Sequence, residues 1–211
     1  MSFAYRISAW NRERKWTPFM ERHAPTQDTL VLDVGFTAKE YSSTDNLIEK
    51  RYPYPERLTA LGIDSAEQLR RLYPDVAVVT YDGTRFPFAD RQFDICWSNA
   101  VLEHVGDWDR QVAFLSEVRR VSHKAFLTTP NRLFPIEVHT RTPLLHWLPK
   151  TLFDRYLKLT GKTWASGDYM HLLSASDLRR LLAQAGIENY QLLGNKILGL
   201  TIDYVVLADF G

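Results

Sequence analysis

The run Leu30-Val31-Leu32-Asp33-Val34-Gly35 constrains this chain more than any other stretch. A short apolar run ends in an acid, one more apolar residue and a glycine. That pattern predicts a buried parallel strand whose carboxyl end opens into a loop. Open α/β sheets bind ligands at those carboxyl ends, which puts Asp33 and Gly35 at the mouth of a site. Gly35 lets the backbone approach a ligand with no Cβ in the way. Taken alone, the pattern equally describes a strand running into a turn, so its weight depends on the strands downstream.

Apolar runs at 58–63, 76–81, 93–97 and 125–128 read as further strands. Helical stretches alternate with them. One is expected at 45–51, before Pro53 and Pro55. A second comes after the capping-box pair Ser65 and Gln68, with Leu69 and Leu72 on one face and Pro74 as its stop. A third, 107–120, repeats Trp108, Val112, Leu115 and Val118 at helical spacing. A fourth opens at Ser174 with Asp177 three residues on, and Gly186 is placed as its C-cap. Two closing runs, 187–193 and 200–208, are joined without a helix and predict an antiparallel finish. The alternation argues for a doubly wound α/β sheet.

The chain has 211 residues, which suits one α/β domain spanning 1–211. Residues 1–27 are expected to form an N-terminal helical arm. Its aromatics Trp10, Trp16 and Phe19 would pack inward, because Glu13 and Glu21 dilute the neighbouring arginines. Residues 131–172 break the alternation, punctuated by Pro135, Pro143 and Pro149, and are expected to be a lid inserted after the fifth strand. The net charge is +1, so no global attraction to nucleic acid or anionic membrane is expected. The single cysteine, Cys96, lies in an apolar run and reads as a buried thiol; it excludes an internal disulfide and a cysteine metal cluster. No metal ligands are assigned from the sequence. No apolar window has transmembrane length and no signal peptide is evident, so a cytoplasmic protein is the expectation. Within 144–159, an apolar face with Lys150, Arg155 and Lys158 opposite allows membrane-surface contact or, more simply, core packing.

Three successive strands each end in an acid: Asp33, Asp64 and Asp82. A fourth ends in Asn99. A ligand with a ribose, an adenine and a charged amino-acid tail calls for such a set. Asp64 would accept both ribose hydroxyls, and Asp82 would accept from the adenine amine beside Gly83. Gly35 would face the amino-acid end, and Asn99 would lie below the reacting centre. Each acid alone could be a helix cap or turn residue; it is their recurrence at consecutive strand ends that points to a ligand.

Four segments carry a family resemblance: Val31-Leu32-Asp33-Val34-Gly35; Leu61-Gly62-Ile63-Asp64; the D-G-x-x-x-P-F-x-D-x-x-F-D segment from Asp82 to Asp94; and Ser98-Asn99-Ala100-Val101-Leu102-Glu103-His104-Val105. Together they resemble the class I S-adenosylmethionine-dependent methyltransferases, and within them the small-molecule group that includes the ubiquinone-biosynthesis type. The resemblance implies a Rossmann-like seven-stranded sheet with an antiparallel last strand. It implies S-adenosyl-L-methionine as cofactor, held by Asp33, Gly35, Asp64, Ser65, Asp82, Gly83 and Asn99. The chain departs from the family after Gly35, where Phe36, Thr37 and Ala38 replace further glycines. A nicotinamide-binding fold fits poorly, since the G-x-G-x-x-G pattern is missing.

Transfer to an oxygen acceptor on a small molecule or on a glycan or lipid precursor is expected; nitrogen and carbon are also compatible with these residues. For a hydroxyl acceptor, His104, His139 and His171 are candidate bases. Arg132 and Arg141 are candidate partners for an acidic group on the acceptor. Base methylation of nucleic acid is disfavoured, because Ser98-Asn99-Ala100-Val101 stands where a Pro-Pro-aromatic turn would be expected. The altered first loop leaves open an alternative, a non-catalytic cofactor- or partner-binding module on the same fold.

Overall fold

The structure, a computed structural model, describes residues 3–137 and 139–211. Met1 and Ser2 of the expected arm and Val138 of the expected lid lie outside the described residues. Seven strands form one sheet: β1 (Val31–Val34), β2 (Leu58–Gly62), β3 (Ala77–Thr80), β4 (Phe93–Asn99), β5 (Ser122–Pro130), β6 (Tyr190–Ile197) and β7 (Leu200–Asp209). Their order is β3-β2-β1-β4-β5-β7-β6. β1 pairs in parallel with β2 on one side and β4 on the other, with Asp33 opposite Ala60 and Trp97. The order reverses at that point, the switch position where open α/β sheets bind ligands. β6 and β7 pair antiparallel, as their helix-free connection predicts. All four residues of β1 are buried, as a central parallel strand covered on both faces requires.

The helices are α1 (Phe3–His23), α2 (Leu47–Arg51), α3 (Glu67–Leu72), α4 (Trp108–Val121), α5 (Lys150–Leu159) and α6 (Ala175–Gln184). Among the described residues, no helix is long and apolar enough to cross a membrane. The chain divides into two compact units, Met1–Trp97 with Val121–Phe126, and Ser98–Arg120 with Leu127–Gly211.

In the first unit α1 brings Phe19 into an aromatic core. Its ring lies edge-on to Trp97 at 4.8 Å, and Trp97 stacks on Phe126 at 4.8 Å. Trp10 stays half-exposed, and Arg12 pairs with Asp45. The helix therefore packs part of its aromatic face, while Arg12 is engaged in a local ion pair. Cys96 is fully buried in β4, where burial, then the nearby Asp33, pushes its thiol up.

In the second unit α6 starts with the capping box expected from its sequence. The Asp177 N–H donates to Ser174 Oγ at 3.2 Å, and the Ser174 N–H donates to Asp177 Oδ2 at 3.1 Å. Leu178, Leu181 and Leu182 are its buried face. The 131–172 segment builds a small core of its own from Phe153, Leu157, Ala165 and Met170. This splits the apolar face expected at 144–159. Phe153 turns inward, while Leu144, Leu148 and Leu152 remain exposed.

Candidate active site

The first unit supplies a cleft at the carboxyl ends of β2 and β3. Asp64, Ser65 and Asp82 line it together, with Ile63 and Tyr81 beside them. Its volume is about 540 Å³. Ser65 is not the helix cap its spacing with Gln68 suggested. α3 begins at Glu67, its N-cap is Ala66, and no side chain caps it. Ser65 stands one residue too early and is exposed on the cleft instead. Ile63 is also displaced from its expected place. β2 ends at Gly62, so Ile63 leaves the strand and is 69% exposed. An exposed β-branched residue between Gly62 and Asp64 gives the cleft an apolar wall.

Asp82 opens a tight turn. Its Oδ1 accepts from the Thr84 N–H at 2.9 Å and from the Thr84 hydroxyl at 2.5 Å, which lowers its pKa. Gly83 comes next at φ 83. Asp33 behaves differently from Asp64 and Asp82. It is buried in β1, and burial followed by the charge of Glu49 pushes it well above the usual carboxylate range. Glu49, itself buried on α2, is raised by burial as well. Two neighbouring buried carboxyls cannot both ionise cheaply.

The loop after β1 is held by contacts that replace the missing glycines. Gly35 sits at φ 107, and its N–H donates to the Leu61 carbonyl at 2.8 Å. Phe36 is buried against Gly62, where an added Cβ would fall 2.6 Å from the Phe36 ring. Further along, Asn46 Oδ1 accepts from the Thr37 N–H at 2.9 Å. Glu40 accepts from Tyr73 at 2.6 Å and pairs with Lys50 at 2.9 Å.

The second unit gathers a different set. Asn99 ends β4, and its Oδ1 accepts from the Thr128 hydroxyl at 2.7 Å. Ala100 is next at φ 59, a left-handed conformation uncommon for a residue with a Cβ. This bend leads into a short helical turn, Leu102–His104. The turn presents His104 to His139, Nε2 to Nε2 at 3.2 Å. His104 Nδ1–H donates to the Tyr169 carbonyl at 2.8 Å, and His139 Nδ1–H donates to Glu137 Oε1 at 2.8 Å. Glu103 is completely buried beneath them. Its Oε2 accepts from the Thr129 hydroxyl at 3.0 Å, and its Oε1 lies 3.9 Å from His104 Nε2 and 3.8 Å from His139 Nε2.

Glu137 is also buried. Burial alone would raise it, but bonds from His139 and Thr140 outweigh that and hold it at about 2. Sequence reasoning missed both carboxylates. Glu103 has a readable signal, an acid flanked by Leu102 and His104 in a motif of the family. Glu137 has only its place two residues before His139.

The other candidates separate from this group. His171 donates its backbone N–H to the Glu103 carbonyl at 2.7 Å. The residue belongs to a neighbouring pocket of about 260 Å³, lined also by Arg132, Gln111 and His146. Arg141 is exposed at φ 56 and does not line that pocket.

Residues 33–125 match the family model described as a methyltransferase domain. No curated protein matches the chain. Among solved structures the fold is similar to an S-adenosylmethionine-dependent methyltransferase from Methanosarcina mazei, with TM-score 0.54 and 19% identity over 91% of this chain and 96% of that one. It is also similar to one from Aquifex aeolicus, with TM-score 0.60 and 14% identity over 92% and 89% of the two chains. A third is geranyl diphosphate C-methyltransferase from Streptomyces coelicolor A3(2), in complex with Mg2+, geranyl diphosphate and S-adenosyl-L-homocysteine. Its TM-score is 0.59 and its identity 12%, over 94% and 79%.

The packing of Phe36 and the bonding of Glu137 each predict an outcome. Gly62→Ala will destabilise the protein by about 1–3 kcal/mol through overpacking against Phe36, read by urea unfolding; unchanged stability would mean the ring yields freely. Glu137→Gln will destabilise the protein at pH 7 by about 1–3 kcal/mol, the range for a buried charged hydrogen-bonding group. The Glu137 pKa is depressed on folding, so this contribution is complete above its ordinary 4.5 and fades as pH falls toward about 2. The gap between the two proteins in urea unfolding should narrow over that window. A gap independent of pH would contradict the assignment.

Proposed function

We propose that the chain is a class I S-adenosylmethionine-dependent methyltransferase that methylates a small-molecule acceptor, or a glycan or lipid precursor, at oxygen; the methyltransferase-domain match over residues 33–125 supports this reading. The observation that carries the cofactor reading is the first unit's cleft, where Asp64, Ser65 and Asp82 line one opening. That donor set fits an adenosine: a carboxylate for a ribose diol, a second acceptor for the adenine amine, and the exposed Ile63 as an apolar wall. S-adenosylmethionine supplies the electrophile, a methyl group on a sulfonium sulfur.

The chain's own residues bind, orient and handle a proton. Asp64 takes the ribose hydroxyls, and Asp82 and Gly83 border the adenine. Gly35 and the loop pinned by Phe36 would receive the amino-acid end. Asp33 is buried in β1 near Glu49. Orientation alone supplies about 7–11 kcal/mol in well-aligned systems.

The acceptor reading rests on the second unit. His104 and His139 face each other over Glu103, which supports activation of an acceptor hydroxyl there. Arg132 and His171 share a pocket that would suit an acceptor with an acidic group. Carbon is the second reading for the acceptor atom, because one similar fold belongs to a C-methyltransferase.

Asp64→Ala will weaken S-adenosylhomocysteine binding about 10- to 100-fold in calorimetric titration, the loss of charged hydrogen bonds worth about 1.5–3 kcal/mol. An unchanged Kd in the folded variant would remove Asp64 from the cofactor site.

A further inference from the structure

We infer that Glu103, His104 and His139 form a binding site for a divalent transition-metal ion such as Zn2+. Their ligand atoms lie within 4.8 Å of one another.

The positions of the ring hydrogens decide what the cluster can hold. His104 Nδ1 faces a carbonyl oxygen and His139 Nδ1 faces a carboxylate oxygen, both at 2.8 Å. Carbonyl and carboxylate oxygens only accept, so both Nδ1 atoms carry hydrogen. In the neutral rings both Nε2 atoms then present lone pairs. Those lone pairs face each other at 3.2 Å, with the Oε1 of a fully buried carboxylate 3.8–3.9 Å from each. Glu103 Oε1 is buried with no hydrogen-bond partner. Three acceptors converging on one point need a positive charge between them. A single extra proton on one ring could bridge the nitrogens and would leave Oε1 unsatisfied; a metal ion engages all three.

The distances suit an ion. Zinc–nitrogen and zinc–oxygen bonds of about 2.0–2.1 Å at tetrahedral angles put ligand atoms about 3.3 Å apart. The edge between the two Nε2 atoms already has about that length, and the two edges to Oε1 exceed it by about 0.5 Å. The outer contacts match as well. Metal-bound histidines usually donate their second N–H to a carboxylate or carbonyl, which fixes tautomer and ring orientation. Here one ring does each. The side chains of His104 and His139 are 26% and 20% exposed, so the fourth position opens on the wet side of the rings. Two histidines, one carboxylate and one open position form a donor set used for zinc with an exchangeable ligand. An oxygen ligand such as an acceptor hydroxyl would fit there.

The site's existence does not depend on the methyl-transfer reading. Untagged, metal-free protein titrated with ZnCl2 will bind one ion per chain with a Kd in the micromolar range or below. Co2+ will give a visible ligand-field band when added to the same protein. His139→Ala will weaken Zn2+ binding at least tenfold and abolish the band, and Glu103→Gln will weaken it as well. Titration with S-adenosylhomocysteine in parallel separates this result from the cofactor assignment. No saturable Zn2+ binding and no Co2+ band in the folded wild-type protein would overturn the site. So would equal Zn2+ affinity in the wild type and the His139→Ala variant.

Discussion

The close approach of the Phe36 ring to Gly62 governs the first unit's cleft. A side chain on Gly62 would collide with that ring, so only glycine lets the loop after β1 close onto the end of β2. The Gly35 N–H then reaches the Leu61 carbonyl, and the chain leaves β2 with Ile63 and Asp64 at the cleft. The methyltransferases that this chain resembles usually give the loop its path with further glycines. Here an aromatic anchor and the side chains of Asn46 and Glu40 do so. A loop pinned by side chains loses less entropy on ligand binding than one free to move. The departure from the glycine-rich pattern therefore changes how the loop is held without removing the acids downstream of it.

Much of the first unit is legible in the sequence because short parallel strands write themselves as apolar runs ending in a polar residue. β1, β2 and β3 fall where those runs lie, and the acids after them reach one cleft in the cases of Asp64 and Asp82. Asp33 differs because it precedes the end of its strand and is buried with Glu49, a partner 16 residues away that no local pattern reveals. Ser65 differs for a local reason. A capping pattern one residue out of register still reads as a cap, and only the backbone shows that α3 starts after Ala66.

The second unit is less legible. His104 and His139 are separated by 35 residues and lie in segments with no common periodicity, so their meeting is a product of the fold. The 131–172 segment packs on its own small core and carries His139 after the Glu137 turn. Glu103 stands in plain view between Leu102 and His104, yet an acid in a short motif is ordinarily taken as solvated. Its complete burial beneath two imidazoles turns that reading around, since a buried carboxylate needs a cation or hydrogen-bond donors. Each unit thus holds its own chemistry, carboxylates and an apolar wall in one, imidazoles over a buried acid in the other.

We propose that the acids at the strand ends of this fold hold S-adenosylmethionine. Calorimetric titration of the purified protein with S-adenosylhomocysteine, with a nicotinamide dinucleotide run alongside, tests that claim most directly. The predicted result is saturable one-to-one binding of S-adenosylhomocysteine in the micromolar range and none of the dinucleotide. Folded protein that ignores S-adenosylhomocysteine, or that takes the dinucleotide instead, would contradict it.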